Sequence, residues 1–399
     1  MEPEVPSGSG VLYFDRTERA RIRRALLLYM DENGIGAPKL QELIAEANGL
    51  IDRTRRPALD RRDVVAQSTL QRFLAGTHRV NDAAVGLYAR FAAPLGDDPV
   101  ARLGDALLAF ISPKAPPEER PGFPAEVFGD YHGEVEPLTP GEWRQPYSVL
   151  EVERLSTRPY AAVQETVEAE LAADGRTSPG TWRVYEGVMF QPGAGLFALM
   201  RDALDDTLRT YSLTRIPDGD PHGAGIVGVG HHNDGALAGP ASVKVFFSKM
   251  SQRDGREYRL PESHGTPPLP LPIGEGGMGS MTSSARKPKI VAQAGNDGRP
   301  PDRTLFAAAY RGDIDGVVAA LEAGIDVNAV EPETGLSVLH IAVGTNRLSL
   351  TRLLIEEWGV DIKPDGRGRW PTLIAARCRV DEDLCDYIVD AEAKAYYPP

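Results

Sequence analysis

The sequence predicts a multidomain α+β protein. Its parts are an all-α N-terminal bundle, a middle antiparallel β domain built as a sheet or half-barrel or as a closed barrel, and a C-terminal α solenoid. Three observations predict this. Apolar residues recur at three- and four-residue steps up to about residue 111. The period changes to two between about Ala125 and Met250. Near the end, Thr304-Leu-Phe-Ala-Ala-Ala, Ser337-Val-Leu-His-Ile-Ala and Trp370-Pro-Thr-Leu-Ile-Ala start alike at intervals of 33 residues.

The chain has 399 residues, a length that suits two or three domains, and a hydrophobic content of 42% supports packed cores. Its net charge of −13 argues against a generic binder of nucleic acid or anionic membranes. The charge is uneven. Val11 to Val80 carries 13 basic and 9 acidic residues, a net of +4, so the remainder carries −17. That asymmetry suggests that one end meets an anion. The first residues have no basic and apolar leader, and no apolar run approaches the roughly 18 residues a membrane helix needs. A soluble, cytoplasmic protein with no membrane contact is expected. Cys378 and Cys385 read as small core residues in a reducing compartment, not as a disulfide.

In order along the chain, residues 1–10 read as a disordered tail and 11–112 as the helical domain. Within it, Ile22, Ala25, Leu26 and Tyr29 mark a helix from Arg16 to Asn33. Pro38, Leu40, Leu43, Ile44 and Ala47 mark a second, stopped by Asn48-Gly49. A loop dense in arginine follows: Arg53, Arg55, Arg56, Arg61 and Arg62. A third helix covers Gln67 to Gly76, with Ser68 as its cap. There Leu70, Phe73 and Leu74 face inward and Gln67, Thr69, Gln71 and Arg72 face out. Helices over Asp82–Ala93 and Ala101–Ile111 complete the domain.

Residues 113–124 read as a linker, and 125–250 as the β domain. Its strands are read at Tyr147–Glu153, Ala161–Ala169, Trp182–Phe190, Leu196–Met200, Leu208–Ile216, Gly225–Gly230 and Val243–Phe247. Asp202-Ala-Leu-Asp-Asp206 is the turn of a hairpin. His231-His232-Asn233-Asp234, with His222 nearby, is the one cluster with metal-ligand chemistry. Adjacent histidines on a strand point to opposite faces, so an exposed glycine-rich turn is expected and no metal site. Residues 251–300 read as a Pro/Gly/Ser tether that lets the C-terminal unit swing. Gly274–Gly279 fits a dinucleotide fingerprint, but no strand feeds it, so it is read as linker. No nucleophile elbow or phosphate loop is present. The expectation is a protein that is not an enzyme and needs no cofactor.

The repeats at 301–395 are similar to the ankyrin family. Repeat one carries Leu305, Ala308, Ala309, Gly312, Val317, Leu321, Gly324, Asp326 and Asn328. Repeat two carries Gly335, Ser337, Leu339, His340, Ala342, Leu353, Leu354, Gly359 and Asp361. The third lacks the Gly-Asp ending and carries Asp381, Glu382 and Asp383, as a capping repeat would. Small alanines let paired helices approach closely, and Gly324 and Gly359 fall where helices end and φ turns positive. In this reading Gly312, Gly324, Asn328, Gly335, His340 and Gly359 serve the fold, and His340 fixes a tight turn. The resemblance implies a protein partner bound on a concave face and no catalytic residues.

The helical domain resembles the phage-repressor type of helix-turn-helix domain, with Ser68 to Gly76 similar to its recognition helix. That resemblance implies DNA binding and transcription regulation. Gln67, Ser68, Thr69, Gln71 and Arg72 would reach base edges, with Arg79 and the loop arginines on phosphates. It also implies a homodimer, although no heptad seam is visible. The join from Asn48 to Val65 is longer than the family's short turn. The Trp182–Ile216 stretch resembles the β-rich sensor-like domain that follows such domains in some bacterial proteins. The alternative is a protein-only adaptor, in which the same helical bundle makes no DNA contact.

Overall fold

Helix α1 (Arg16–Asn33) has both ends written into the sequence. Asp15 accepts from the Glu18 N–H, and Glu18 reaches back to the Asp15 N–H. Gly34 then ends the helix in the left-handed region, at φ 58°. The protein is known here from a computed structural model. It describes residues 13–50, 67–96, 98–111, 122–137, 148–155, 158–168, 182–216, 225–232, 241–250 and 302–396. The expected tail at 1–10, the arginines of the 53–62 loop, the tether at 251–300, and His222, Asn233 and Asp234 lie outside those residues.

Helix α2 (Ala37–Ala47) starts with proline in its first turn, where no backbone donor is needed. Helix α3 is Gln67–Ala75, so Ser68 lies inside its first turn. Helix α4 (Asp82–Ala92) is capped by Asn81, whose side chain accepts from the Ala84 N–H at 2.8 Å. These four pack around Ile22, Leu26, Leu40, Leu70, Phe73, Leu74 and Tyr88. Helix α5 (Pro99–Ile111) packs instead on the β domain, with Leu107 and Leu108 against Tyr160, Val188 and Phe190. Only a glycine fits at its contact point: a Cβ on Gly104 would lie 2.2 Å from the Tyr160 ring.

The β domain is a closed barrel, one of the forms expected, and not an open sheet or half-barrel. Its strands run antiparallel in sequence order: β1 (Gly129–Pro137), β2 (Ser148–Arg154), β3 (Tyr160–Glu168), β4 (Trp182–Phe190), β5 (Leu196–Asp202), β6 (Leu208–Ile216), β7 (Gly225–His232) and β8 (Ala241–Lys249). Closure comes from β1, which pairs with both β2 and β8 and so removes the two sheet edges. Gly129, Gly133 and Pro137 gave β1 the look of a loop. The interior is filled by Tyr131, Leu150, Val163, Tyr185, Met189, Tyr211 and Phe247, among others. Arg209 and Tyr211 both bond the buried carboxylate of Glu165 there, at 3.1 and 2.7 Å, and Arg209 stacks on the Tyr185 ring at 3.9 Å. His231 and His232 end strand β7, opposite Thr210 and Arg209, so they do not form a turn.

Three helical hairpins follow: α6 (Asp302–Arg311) with α7 (Ile314–Glu322), α8 (Val338–Gly344) with α9 (Leu348–Glu356), and α10 (Pro371–Arg377) with α11 (Glu382–Tyr396). The first helices touch in a row, α6 to α8 to α10, and the second helices stand further apart. The stack therefore curves with the first helices on its concave side. Gly324 and Gly359 have φ of 90° and 60°. Asn328 accepts the Asp361 N–H one period later, at 2.9 Å. His340 links repeats too: Nδ1 meets Ser337 Oγ at 2.7 Å and Nε2 meets the Arg369 carbonyl at 3.0 Å. Burial holds its imidazole down at about 4, so it is neutral at physiological pH. Cys378 and Cys385 are free and buried, and burial pushes both thiols up.

Candidate protein-binding interface

The third repeat is docked on the N-terminal bundle. A terminal repeat leaves an apolar face with no successor to cover it. Here α1, α2 and α3 cover it, and Leu373 and Ala376 join the bundle core. Polar bonds fix the register. Trp370 Nε1 donates to the Gly34 carbonyl at 2.7 Å, and the Ala37 N–H donates to Thr372 Oγ1 at 2.9 Å. Arg377 pairs with Asp31 at 3.0 Å.

This docking changes the reading of α3. Gln71 does not face solvent: it is fully buried, and its Nε2 donates to the Thr372 carbonyl at 2.9 Å. Arg72 pairs with Asp386 at 2.8 Å and with Glu382. The acidic opening of α11 is therefore the anion that this basic residue meets. Gln67, Ser68 and Thr69 are half-buried and Arg79 is exposed. The structure places these residues on one helix and its exit but turns the middle of that helix inward.

The same logic joins bundle and barrel. Arg16 pairs with Asp130 at 2.8 Å and Glu151 at 2.7 Å. Arg24 pairs with Asp98 at 2.7 Å and Glu153 at 3.1 Å, and Arg379 of the third repeat reaches Glu151 at 3.3 Å. Among the described basic residues of the first 80, Arg16, Arg19, Arg24 and Arg72 are matched to carboxylates of the chain itself.

One buried carboxyl sits at the bundle–repeat junction. Glu392 accepts from the Thr372 N–H at 3.0 Å and from Thr372 Oγ1 at 2.8 Å. Burial pushes it up from 4.5 to about 8, against the pull of those bonds. The unfolded chain gives up this proton near pH 4.5 and the folded chain near pH 8. The group therefore costs stability progressively as pH rises through that window, and the full cost is present above it. Glu392→Gln offers the donor and acceptor of the neutral acid and cannot ionise. A pKa unit is worth about 1.4 kcal/mol, so the variant should gain a few kcal/mol on wild type at pH 8 and nothing at pH 4. Urea midpoints at pH 4, 6 and 8 check this, and parallel profiles for the two proteins would refute it.

The concave side of the helical stack is not open either. All seven residues of α8 are buried. The turn between β5 and β6 lies on it, and Ala203, Leu204 and Val184 belong to the same apolar cluster as Leu339, Val343 and Ile374. A Cβ on Gly344 would meet Leu204 Cδ1 at 2.3 Å. Two finger-like turns flank the slot. Glu331 to Leu336 closes with a 2.8 Å bond, and the Gly366 N–H donates to the Gly335 carbonyl at 2.8 Å. From the second finger, Arg369 Nη1 donates to the Leu204 carbonyl at 3.0 Å, while its Nε is held by Asp365 at 2.8 Å. Arg367 pairs with Asp206. Sequence reading found the turn and the repeats but not their meeting, because no short-range pattern encodes it.

Among the described residues, no group of His, Cys, Asp and Glu is placed to hold a metal ion, and no helix is long and apolar enough to cross a membrane. Comparison with curated proteins finds no match. Residues 305–355, the first two hairpins of the stack, match the family model for ankyrin repeats (many copies), which supports a protein-interaction module there.

Proposed function

We propose that the chain is a non-enzymatic adaptor that binds a protein partner through its C-terminal repeats and makes no DNA contact in its closed arrangement. The observation that carries the second half is Gln71. A side chain buried against the Thr372 carbonyl cannot also bond a base edge, and Arg72 is held by Glu382 and Asp386. A helix covered along its outer face by α10 and α11 has no route into a major groove. The match to ankyrin repeats supports the first half. The packed barrel interior supports a non-catalytic role, since Glu165, the buried carboxylate there, is bonded by Tyr211 and Arg209. The DNA-binding regulator is the finer alternative, and it requires the third repeat to leave α3.

Gel retardation of a random-site duplex pool by the full chain at low salt separates the two. The adaptor reading expects no shift. A salt-sensitive shift that is lost on Arg79→Glu and Gln67→Ala would replace it with the regulator reading.

A further inference from the structure

The turn that fills the concave face is built before it arrives there. Asp202 Oδ1 accepts the N–H groups of Leu204 and Asp205 at 2.8 and 3.1 Å. Arg183 grips Asp202 at 2.8 Å and Asp205 at 2.5 Å from inside the barrel domain. Asp205 Oδ1 also accepts from the Thr207 N–H at 3.0 Å. The result is a pre-formed acidic turn that presents the aliphatic side chain of Leu204, so little conformational freedom is lost when it docks.

The repeats offer the complement. Gly344 and Ile374 leave a slot for one branched aliphatic side chain. Arg369 is buried and held by Asp365, with one arm left for a carbonyl, and it needs that acceptor because a buried donor without one is costly. Arg367 stands at the rim, where it meets a carboxylate. The cis contact is limited: Leu204 with Ala203 and Val184 beside it, one carbonyl bond and one half-exposed ion pair, which contributes little. The barrel keeps its other tethers through Arg16, Arg24 and Arg379 when this contact breaks.

We propose that the groove of α8, α10 and the two fingers recognises, in a partner protein, an acidic tight turn with one aliphatic side chain at its tip. The chain's own Asp202–Thr207 turn holds that place until the partner displaces it. This rests on the adaptor reading and names the chemistry of its partner. The cis turn acts as a competitor at high local concentration, so it sets a threshold that a weak partner does not pass.

The test uses a labelled peptide carrying residues 199–210, closed by a terminal disulfide and titrated against the full chain by fluorescence anisotropy. An opened chain, Leu204→Asp with Asp206→Arg, should bind it at least tenfold more tightly than wild type. Adding Arg367→Glu to the opened chain should return binding to the wild-type level, and the peptide with aspartate at position 204 should not bind. Should the double variant lose its helical circular dichroism, Asp206→Arg alone is expected to show the same direction, at least threefold. Equal binding by wild-type and opened chains, or indifference to Arg367→Glu, would overturn the proposal. The titration reads the groove alone, so a chain that retards DNA would still pass or fail it separately.

Discussion

Replacing Arg24 with alanine is expected to cost the full chain about 3–5 kcal/mol, because it strands a buried carboxylate. Arg24 comes from α1, and its Nε and Nη2 donate to Asp98 at 2.9 and 2.7 Å. Its Nη1 donates to Glu153 on β2 at 3.1 Å. Asp98 is 7% exposed and also accepts the Val100 N–H at 2.9 Å, which starts α5. The one guanidinium therefore ties bundle, α5 and barrel together. Without it, the buried Asp98 side chain is left without its partner or must open the junction to water. The double variant Arg24→Leu with Asp98→Asn removes both charges and keeps the cap, so most of the loss should return. Urea denaturation of the three proteins measures it. An Arg24→Ala midpoint equal to wild type would mean that this junction is wet.

Arg369→Ala should cost a similar amount, about 3–5 kcal/mol, at the other junction. Its Nε holds Asp365, whose side chain is 0% exposed, at 2.8 Å. Its two arms donate to the Leu204 carbonyl at 3.0 Å and the Thr334 carbonyl at 3.3 Å. Repeat two, repeat three and the barrel all converge on this side chain. Lysine at the same place supplies a point charge and not a planar fork, so Arg369→Lys should recover less than half of the loss. Arg369→Met with Asp365→Asn should recover most of it, since Asn still accepts the Arg367 and Arg369 N–H groups that Asp365 Oδ1 accepts now. Full recovery by lysine would show that charge alone, and not the fork, is what the site uses.

Much of this architecture was legible in the chain, and the limits have physical causes. Helices α1 to α3 show in the spacing of Ile22, Leu26, Leu40, Leu70 and Phe73, and the ends of α2 show in Pro38 and Asn48-Gly49. The β5–β6 hairpin shows in Asp202 to Asp206, where short acidic side chains suit a tight turn. The first strand did not show, because β1 carries Gly129, Gly133 and Pro137. Nor did the double burial of β3, whose Tyr160 to Val167 has no exposed face: alternation fades when barrel interior and docked helices cover both sides.

The interfaces were the hardest to read. A polar residue on the outer side of a bundle helix, such as Gln71 or Arg72, is exposed by default, and its true partners lie 301 and 314 residues away. One signal was present. The first 80 residues carry a basic excess, and the third repeat carries Asp381, Glu382 and Asp383. Those opposite charges meet in the structure, at Arg72 with Glu382 and Asp386. Charge asymmetry within one chain thus pointed to an internal partner as readily as to an external one.

The concave face of the repeats is filled by the barrel's own turn, with Arg367 against Asp206 at its rim. Arg367→Lys brings an amine beside the Asp206 carboxylate, and a zero-length carbodiimide joins only groups already in contact. The account predicts an isopeptide bond between positions 206 and 367 within a monomeric chain, found by peptide mapping. Its absence, or its appearance only in crosslinked dimers, would contradict the closed arrangement.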